Sequence, residues 1–194
     1  MKGQQASIDL SFSQNELVIS SQDGFDIAEM SNSGFMDGSE YLGKPMLATR
    51  SFNWAIPPNT RVSSVSYTIN SEVLFPQNLY IYPVQNPEYI GIQEITEFVE
   101  PDPTVYLSTL PFPENNILAY DLRGYRVYNY VSITFTPFRY IPASRQLFLI
   151  LDLTITINYQ PISNSYKKET LRPYSYEDVK ANENIKAITS VRLK

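Results

Sequence analysis

The sequence predicts an all-β fold, an antiparallel β-sandwich of the jelly-roll or immunoglobulin-like kind, followed by a polar C-terminal tail. Before residue 160, most segments alternate apolar and polar residues, which is the spacing of half-buried strands. Turn residues and scattered prolines separate these segments, and helical spacing is scarce over the same range. Many short strands with tight turns and no clear helix favour a sandwich over a helical or mixed fold.

The alternation predicts the first strands in chain order. Residues 8–13 carry Ile8, Leu10 and Phe12 with polar residues between them, and the same pattern continues briefly at 17–20. Residues 21–44 are rich in Gly, Ser and Asp and are predicted to form a loop. The next predicted strands are residues 52–56, 62–71 and 79–84.

The second half of the chain contains the most strongly β-like segments. Pro87 and the four prolines that follow it make residues 88–116 irregular, and residues 126–137 then alternate as a long strand. A turn is predicted at 142–145. Residues 147–159 are nearly all Leu, Ile, Thr, Phe and Tyr. That composition predicts a central strand buried on both faces, or a bent strand that crosses the sandwich.

Charge divides the chain near Pro161. Residues 1–160 hold 8 Lys and Arg against 16 Asp and Glu, a net charge of −8, whereas residues 161–194 hold 7 against 4, a net of +3. We therefore expect a β-sandwich domain over 1–160 and a basic linker or tail over 161–194, with weak helical spacing at 175–188. The overall charge of −5 argues against sequence-independent binding to nucleic acid.

The chain contains no Cys and no His. Disulfides, zinc sites with Cys or His ligands and iron–sulfur clusters are therefore excluded. Cys–His and Ser–His–Asp catalysis are excluded as well, because the nucleophile or the base is missing. We expect no cofactor, and the sequence by itself does not state a reaction.

Two clusters of carboxylates are considered separately, because a glycosidase requires only two carboxyl side chains for catalysis. They comprise Glu94, Glu97, Glu100 and Asp102, and Asp23, Asp26 and Glu29. Both groups lie in loop-like sequence without an apolar surrounding that would raise a pKa, so solvated loop charges are favoured over catalysis. Calcium binding between Asp23 and Asp37 is an open alternative, although the spacing does not match an EF-hand.

Aromatic residues raise the possibility of carbohydrate binding. Trp54, however, lies on the apolar side of a predicted strand, which favours a core position over a binding platform. Arg123 and Gly124 lie just before a long predicted strand, where the arginine is either exposed on a tight turn or held in an ion pair. The residues alone favour the ion pair.

Three segments, in this order and spacing, resemble the N-terminal propeptide domain of the gingipain-type cysteine peptidases of Bacteroidetes. The first is GKPML at 43–47 with FNWAIPPNTRV at 52–62. The second is DPTVY at 102–106 with FPE at 112–114. The third is LRGYRV at 122–127 with FTPFRYIPA at 135–143. The similarity covers about residues 40–160, and the final predicted strand closes the domain.

The resemblance implies a β-sandwich that assists the folding of a caspase-like cysteine peptidase domain and blocks its active-site cleft. Its partner would be the catalytic domain of that peptidase, which would contain the Cys–His pair that this chain lacks. In similar propeptides a loop crosses the cleft, and a basic side chain enters the S1 pocket of enzymes specific for Arg or Lys. The chain would then be an exported prodomain without catalytic activity.

The resemblance leaves two candidate contacts with the peptidase. The first is Arg123 with Gly124, since a pre-organised turn binds at a smaller entropic cost. The second is the proline-rich loop that carries Glu100, Asp102, Pro103 and Tyr106. Cleavage for activation is expected in the basic tail, where candidate positions are Lys168, Arg172, Arg192 and Lys194.

Two other functions stay open. One is a stand-alone cell-surface module that binds glycan or protein, which exposed coplanar aromatic side chains on one sheet face would favour. The other is the N-terminal domain of a secretion-system surface protein without a working protease. The sequence has no apolar stretch long enough for a transmembrane helix and no apolar run after Lys2, so an exported protein would have had its signal peptide removed.

Overall fold

The computed structural model describes residues 4–57, 60–87, 97–125 and 128–161. The predicted tail, its helical spacing at 175–188 and the segment 88–96 lie outside these residues. The described residues contain one short α-helix, α1 (Pro103–Tyr106), three short 3-10 turns and ten strands. The strands are β1 (Gln4–Ser11), β2 (Leu17–Gln22), β3 (Phe25–Met30), β4 (Gly34–Phe35), β5 (Ala48–Ile56), β6 (Thr60–Asn78), β7 (Ile117–Tyr125), β8 (Tyr128–Phe135), β9 (Phe138–Ile141) and β10 (Gln146–Pro161).

Strand β10 is the centre of the first sheet. It pairs antiparallel with β6 along one edge, and with β9 and then β1 along the other. The sequence predicts either a strand buried on both faces or a bent strand. Burial on both faces is found only at Leu149 and Ile150, which are adjacent and both buried. From Asp152 onward the strand alternates, with Leu153 and every second residue after it facing the core. The register shifts between Ile150 and Leu153 mark the change.

The second sheet has the order β4-β5-β8-β7, again with antiparallel pairing. Val131, Ile133 and Phe135 of β8 are fully buried and alternate with partly buried polar residues. The inner faces of the two sheets meet in one apolar core, where the rings of Phe12 and Phe135 lie 5.6 Å apart between centroids. The prediction of an all-β antiparallel sandwich is therefore confirmed.

The predicted loop at 21–44 is wrong over its first half. Strands β2 and β3 form a hairpin in which Gln22 pairs with Phe25, so that Asp23 and Gly24 make the turn. Both turn residues have positive φ, 52° and 84°, which is the backbone of the two-residue turn that suits the twist of paired strands. Asp-Gly is a strong signal for such a turn, and the surrounding polar residues obscured it. The short strand β4 also lies in this segment.

Residues 79–84 do not form the predicted regular strand. Isolated bridges connect Ile81 to Asp26, Pro83 to Pro45 and Val84 to Leu42, and the segment lies in the core. Two buried tyrosines hold it: the hydroxyl of Tyr140 donates to the Leu79 carbonyl at 2.7 Å, and the hydroxyl of Tyr106 donates to the Ile81 carbonyl at 2.7 Å. Tyrosine hydroxyls thus donate the hydrogen bonds that backbone N–H groups of a neighbouring strand would otherwise donate to these carbonyls.

Strand β7 was not predicted. The alternation predicts a strand that begins at residue 126, whereas the structure pairs Ile117–Tyr125 with β8 as the first arm of a hairpin. Residues 126 and 127, which the prediction placed in the strand, lie outside the described residues. The other predicted strands correspond to β1, β2, β5, β6, β8 and β10, and the predicted turn at 142–145 is confirmed.

Asn116 fixes the entry into this hairpin. Its side chain is buried, and its amide nitrogen donates to the carbonyls of Thr136 at 2.9 Å and Phe138 at 2.8 Å. Its backbone nitrogen donates to the hydroxyl of Tyr67 at 3.2 Å, and its carbonyl accepts from the Thr136 nitrogen at 2.9 Å. One residue therefore joins the start of β7 to the bend between β8 and β9 and to β6. No helix in the described part is long and apolar enough to span a membrane.

We expect Asn116→Ala to lower the free energy of unfolding by about 2–3 kcal/mol, because two buried carbonyls lose their donor. Asn70→Ala is the matched control, since Asn70 also donates through its side chain, to Thr154 at 2.8 Å, but is exposed. The control should cost less than about 0.5 kcal/mol. Urea unfolding measures both, and equal losses would contradict the role of Asn116.

Alkaline pH should weaken the fold through Tyr140. Burial raises the pKa of Tyr140 to about 12, above the value of about 10 expected in the unfolded chain. The contribution of the neutral phenol is therefore complete below about pH 10 and is lost as the pH rises through the folded-state value. Tyr140→Phe should be less stable than the wild type at neutral pH and should lose less stability between pH 10 and pH 12. Parallel pH profiles from urea unfolding would refute this.

Candidate functional site

Arg123 and Gly124 lie inside β7, close to the end of the β7–β8 hairpin. Arg123 pairs with Tyr130 and Gly124 with Asn129, and the strands still face each other at Tyr125 and Tyr128. Only Arg126 and Val127 stand between the two arms. The first candidate contact is therefore part of a paired strand that presents its side chain next to the hairpin end.

The side chain of Arg123 is exposed to solvent. Its Nε donates to Asp121 Oδ2 at 3.2 Å, and the two side chains retain 59% and 68% of their accessible surface. Both residues point to the outer face of the sheet, because residues two apart in a strand share a face. The ion pair favoured by the sequence analysis is present, but an exposed pair of this kind contributes little to stability.

The inner face of β7 carries apolar side chains that the opposite sheet does not cover. Tyr120 pairs with Ile133 and Leu122 with Val131, so both point to the core side of the sheet. The partner side chains are fully buried, whereas Tyr120 keeps 48% and Leu122 keeps 42% of its surface exposed. The sequence analysis missed these residues. Their alternation with Asp121 and Arg123 indicates a strand, but it does not indicate that the side chains of Tyr120 and Leu122 are exposed.

Residues of the second candidate loop mainly hold the loop in place. Asp102 caps α1, accepting from the nitrogen of Thr104 at 2.9 Å, and its own nitrogen donates to the Gly43 carbonyl at 2.8 Å. The hydrogen bonds from Thr104 hold the pKa of Asp102 below its usual range. Pro103 occupies the first turn of α1, and Tyr106 is buried. Glu100 is exposed, and its carbonyl lies at the positive-φ residue Gly43.

The exposed apolar part of this loop follows α1. Leu107 and Leu110 keep 77% and 72% of their surface, yet the backbone between them is anchored. Ser108 accepts through its carbonyl from Ala143 at 3.0 Å, and its hydroxyl accepts from the nitrogen of Leu110 at 3.1 Å. The loop therefore presents two leucines from a fixed backbone. These leucines were also missed, since a loop leucine is as often buried as exposed.

No metal-binding group of side chains forms in the described ranges 4–57, 60–87, 97–125 and 128–161. The carboxylates of these ranges form no group that could hold a metal ion, including those between Asp23 and Asp37. Asp26 is occupied structurally, accepting from the backbone nitrogen of Tyr80 at 2.7 Å. Glu94 lies outside the described residues. An open cleft of about 570 Å³ between β6 and the start of β7 has Glu114 as its one acidic lining residue.

The aromatic side chains whose burial the structure describes do not form an exposed row. Trp54 is partly buried and packs against the core, as predicted. The exposed large aromatics among these side chains are Phe98, outside the strands, and Tyr120, on β7, while those of Tyr125 and Tyr128 lie outside the description. The described side chains therefore do not provide the exposed row expected of a stand-alone glycan-binding module.

Comparisons with known proteins agree with the resemblance. The family model Propeptide_C25 matches residues 17–184. A solved complex of the pro- and mature domains of RgpB from Porphyromonas gingivalis matches with a TM-score of 0.65 and 14% identity, over 94% of this chain and 92% of the other. A structure on the zymogenic latency of gingipain K from the same organism matches with a TM-score of 0.57 and 18% identity, over 81% and 100%. A search of curated proteins finds no match.

The two solved structures share the fold at low sequence identity, whereas the family model covers most of the chain. The family is defined by a propeptide and not by a catalytic domain, which agrees with the expectation of a non-enzymatic chain. The chain belongs to the Propeptide_C25 family.

Proposed function

We propose that this chain is the prodomain of a gingipain-type cysteine peptidase, which it inhibits and helps to fold. The observation that carries the proposal is the match of the propeptide family over residues 17–184. Two neighbours in fold support it, one solved as a complex of pro- and mature domains and one described in terms of zymogenic latency. The absence of Cys and His assigns the catalytic dyad to the partner domain.

Arg123 is our first candidate for the inhibitory contact. Its backbone is held by pairing with β8, and the Asp121 carboxylate that binds it is exposed. Exchanging that solvent-exposed pair for a carboxylate in a specificity pocket costs little, because exposed ion pairs are weak. The paired backbone has little freedom left to lose on binding. Gly124, next along the strand, adds no side chain that would obstruct the approach.

The loop between Glu100 and Glu114 is the second candidate contact. Asp102, Pro103 and Tyr106 would support it from within, since each already has a structural contact in the fold. Leu107 and Leu110 would make the contact itself, because exposed apolar side chains on a fixed backbone are typical of binding surfaces.

Processing and export belong to the same proposal. The division into a sandwich over 1–160 and a basic tail over 161–194 would separate the inhibitory fold from the segment that is cut. Cleavage would occur at one or more of Lys168, Arg172, Arg192 and Lys194, all outside the described residues. The prodomain would act outside the cytoplasm, in the periplasm, on the cell surface or in the medium.

The test of the proposal is inhibition in trans. The purified chain is added to the catalytic domain of its own precursor, and initial rates are measured on a small peptide substrate. We expect the wild type to inhibit, and Arg123→Ala to weaken inhibition by about 30-fold or more, the range of a buried charged contact. If the wild type and Arg123→Ala inhibit equally, the inhibitory contact is assigned to the second loop. The double variant Leu107→Ala with Leu110→Ala would then test that loop.

Stability provides the control for this experiment. Because the pair with Asp121 is exposed, Arg123→Ala should change the free energy of unfolding by less than about 0.5 kcal/mol. If Arg123→Ala loses inhibition while its free energy of unfolding is unchanged, the loss is due to the missing contact and not to unfolding. A folded wild-type chain that inhibits at no concentration would overturn the proposed function.

A further inference from the structure

We propose that the edge of β7 accepts an extended segment of the peptidase catalytic domain as an added β-strand. This proposal rests on the proposed function and identifies the kind of surface that the partner supplies. It concerns a different part of the hairpin from the Arg123 side chain. The backbone edge would provide affinity, and Arg123 would occupy the cleft.

The backbone of β7 supplies the first argument. The strand has 9 residues and stands last in the order β4-β5-β8-β7, so within the described residues it pairs only with β8. The N–H and C=O groups on its other side can be satisfied by water or by another extended chain. An added strand is the ligand whose spacing matches these groups along the whole edge.

The side chains supply the second argument. Tyr120 and Leu122 lie on the core side of the sheet but remain nearly half exposed, because the opposite sheet does not reach them. A strand added beside β7 would bring alternate side chains over both residues and extend the core. The outer face carries Asp121 and Arg123, whose side chains are exposed and point away from the apolar pair.

Other strands of the described residues are less suited to such an addition. In each of β2 and β6 a single large apolar side chain is exposed, Val18 and Leu74 respectively. Strand β1 exposes no large apolar side chain, since Ile8 is buried and Leu10 is partly buried. The uncovered apolar pair on β7 is therefore the distinguishing feature.

A segment of the catalytic domain is favoured over a second copy of this chain. Each copy carries a net charge of −5, and the β-domain alone carries −8, so two copies repel each other. The edge also continues directly into the residue proposed to enter the cleft. A strand paired along β7 would hold the hairpin end in a fixed direction and reduce the entropy lost when Arg123 binds.

The double variant Tyr120→Lys with Leu122→Lys tests the edge, because inward-pointing charges oppose strand addition. We expect it to bind the catalytic domain about 30-fold or more weakly than the wild type, measured by surface plasmon resonance. Leu74→Lys is the matched control, since Leu74 is 43% exposed on a strand against 42% for Leu122. The control should stay within about 3-fold of the wild type.

Hydrogen exchange of the wild-type complex tests the backbone directly and does not depend on the folding of any variant. Amides of residues 117–124 should exchange at least about 10-fold more slowly in the complex than in the unbound chain. Intact inhibition with no added protection along β7 would overturn the strand proposal and leave the proposed function standing. A wild-type chain that neither binds nor inhibits would overturn both. The wild-type chain could instead form dimers through this edge. If the double variant abolished such dimers and the catalytic domain did not dissociate them, the choice of occupant would be overturned.

Discussion

The pairing of β10 with three other strands is the interaction on which the rest of the fold depends. It pairs with β6 from Gln146 to Pro161, with bulges between, while β9 and β1 share its opposite edge. Its core-facing residues Leu153, Ile155 and Ile157 provide one wall of the sandwich and are fully buried. Among the described strands β10 comes latest in the chain and β1 earliest, so this sheet closes only when a late segment pairs with an early one. Such long-range pairing is slow to form and stable once complete.

The other sheet carries the surface with the proposed role. Its hairpin of β7 and β8 is attached at one end by the buried side chain of Asn116, and its opposite end is directed away from that attachment. Val131 and Ile133 anchor β8 in the core, whereas Tyr120 and Leu122 on β7 remain uncovered. A rigid support and an incompletely covered edge are together what a protein needs to present a pre-organised surface to a partner. The fold thus stabilises the hairpin while Tyr120 and Leu122 stay uncovered.

Periodicity predicted the sandwich and most of its strands because one face of each sheet is buried. Periodicity did not predict the strands that bury little of either face. Strand β7 alternates only briefly, from Tyr120 to Arg123, since it lies at an edge and buries little. The β2–β3 hairpin was lost among polar residues although its Asp-Gly turn was visible. Segment 79–84 alternates as a strand does, but buried tyrosine hydroxyls satisfy part of its backbone instead of a ladder.

The candidate site was predictable only in part, for a related reason. Arg123 could be selected from the sequence, because a charged residue before a strand is conspicuous, and the family resemblance gave it a role. The exposure of Leu107, Leu110, Tyr120 and Leu122 depends on which surfaces the opposite sheet and neighbouring loops cover. That is a tertiary property, and leucine or tyrosine at these positions has no sequence signature of exposure.

Binding to an open and to a blocked active site tests the central claim most directly. The chain would be titrated calorimetrically into its catalytic domain, once with the cleft open and once after a peptidyl inhibitor has been attached covalently to the catalytic cysteine. If the prodomain confers latency by occupying the cleft, blocking should weaken binding by at least about 100-fold. Equal affinity for the open and blocked enzymes would contradict the account, because the prodomain would then bind without entering the active site.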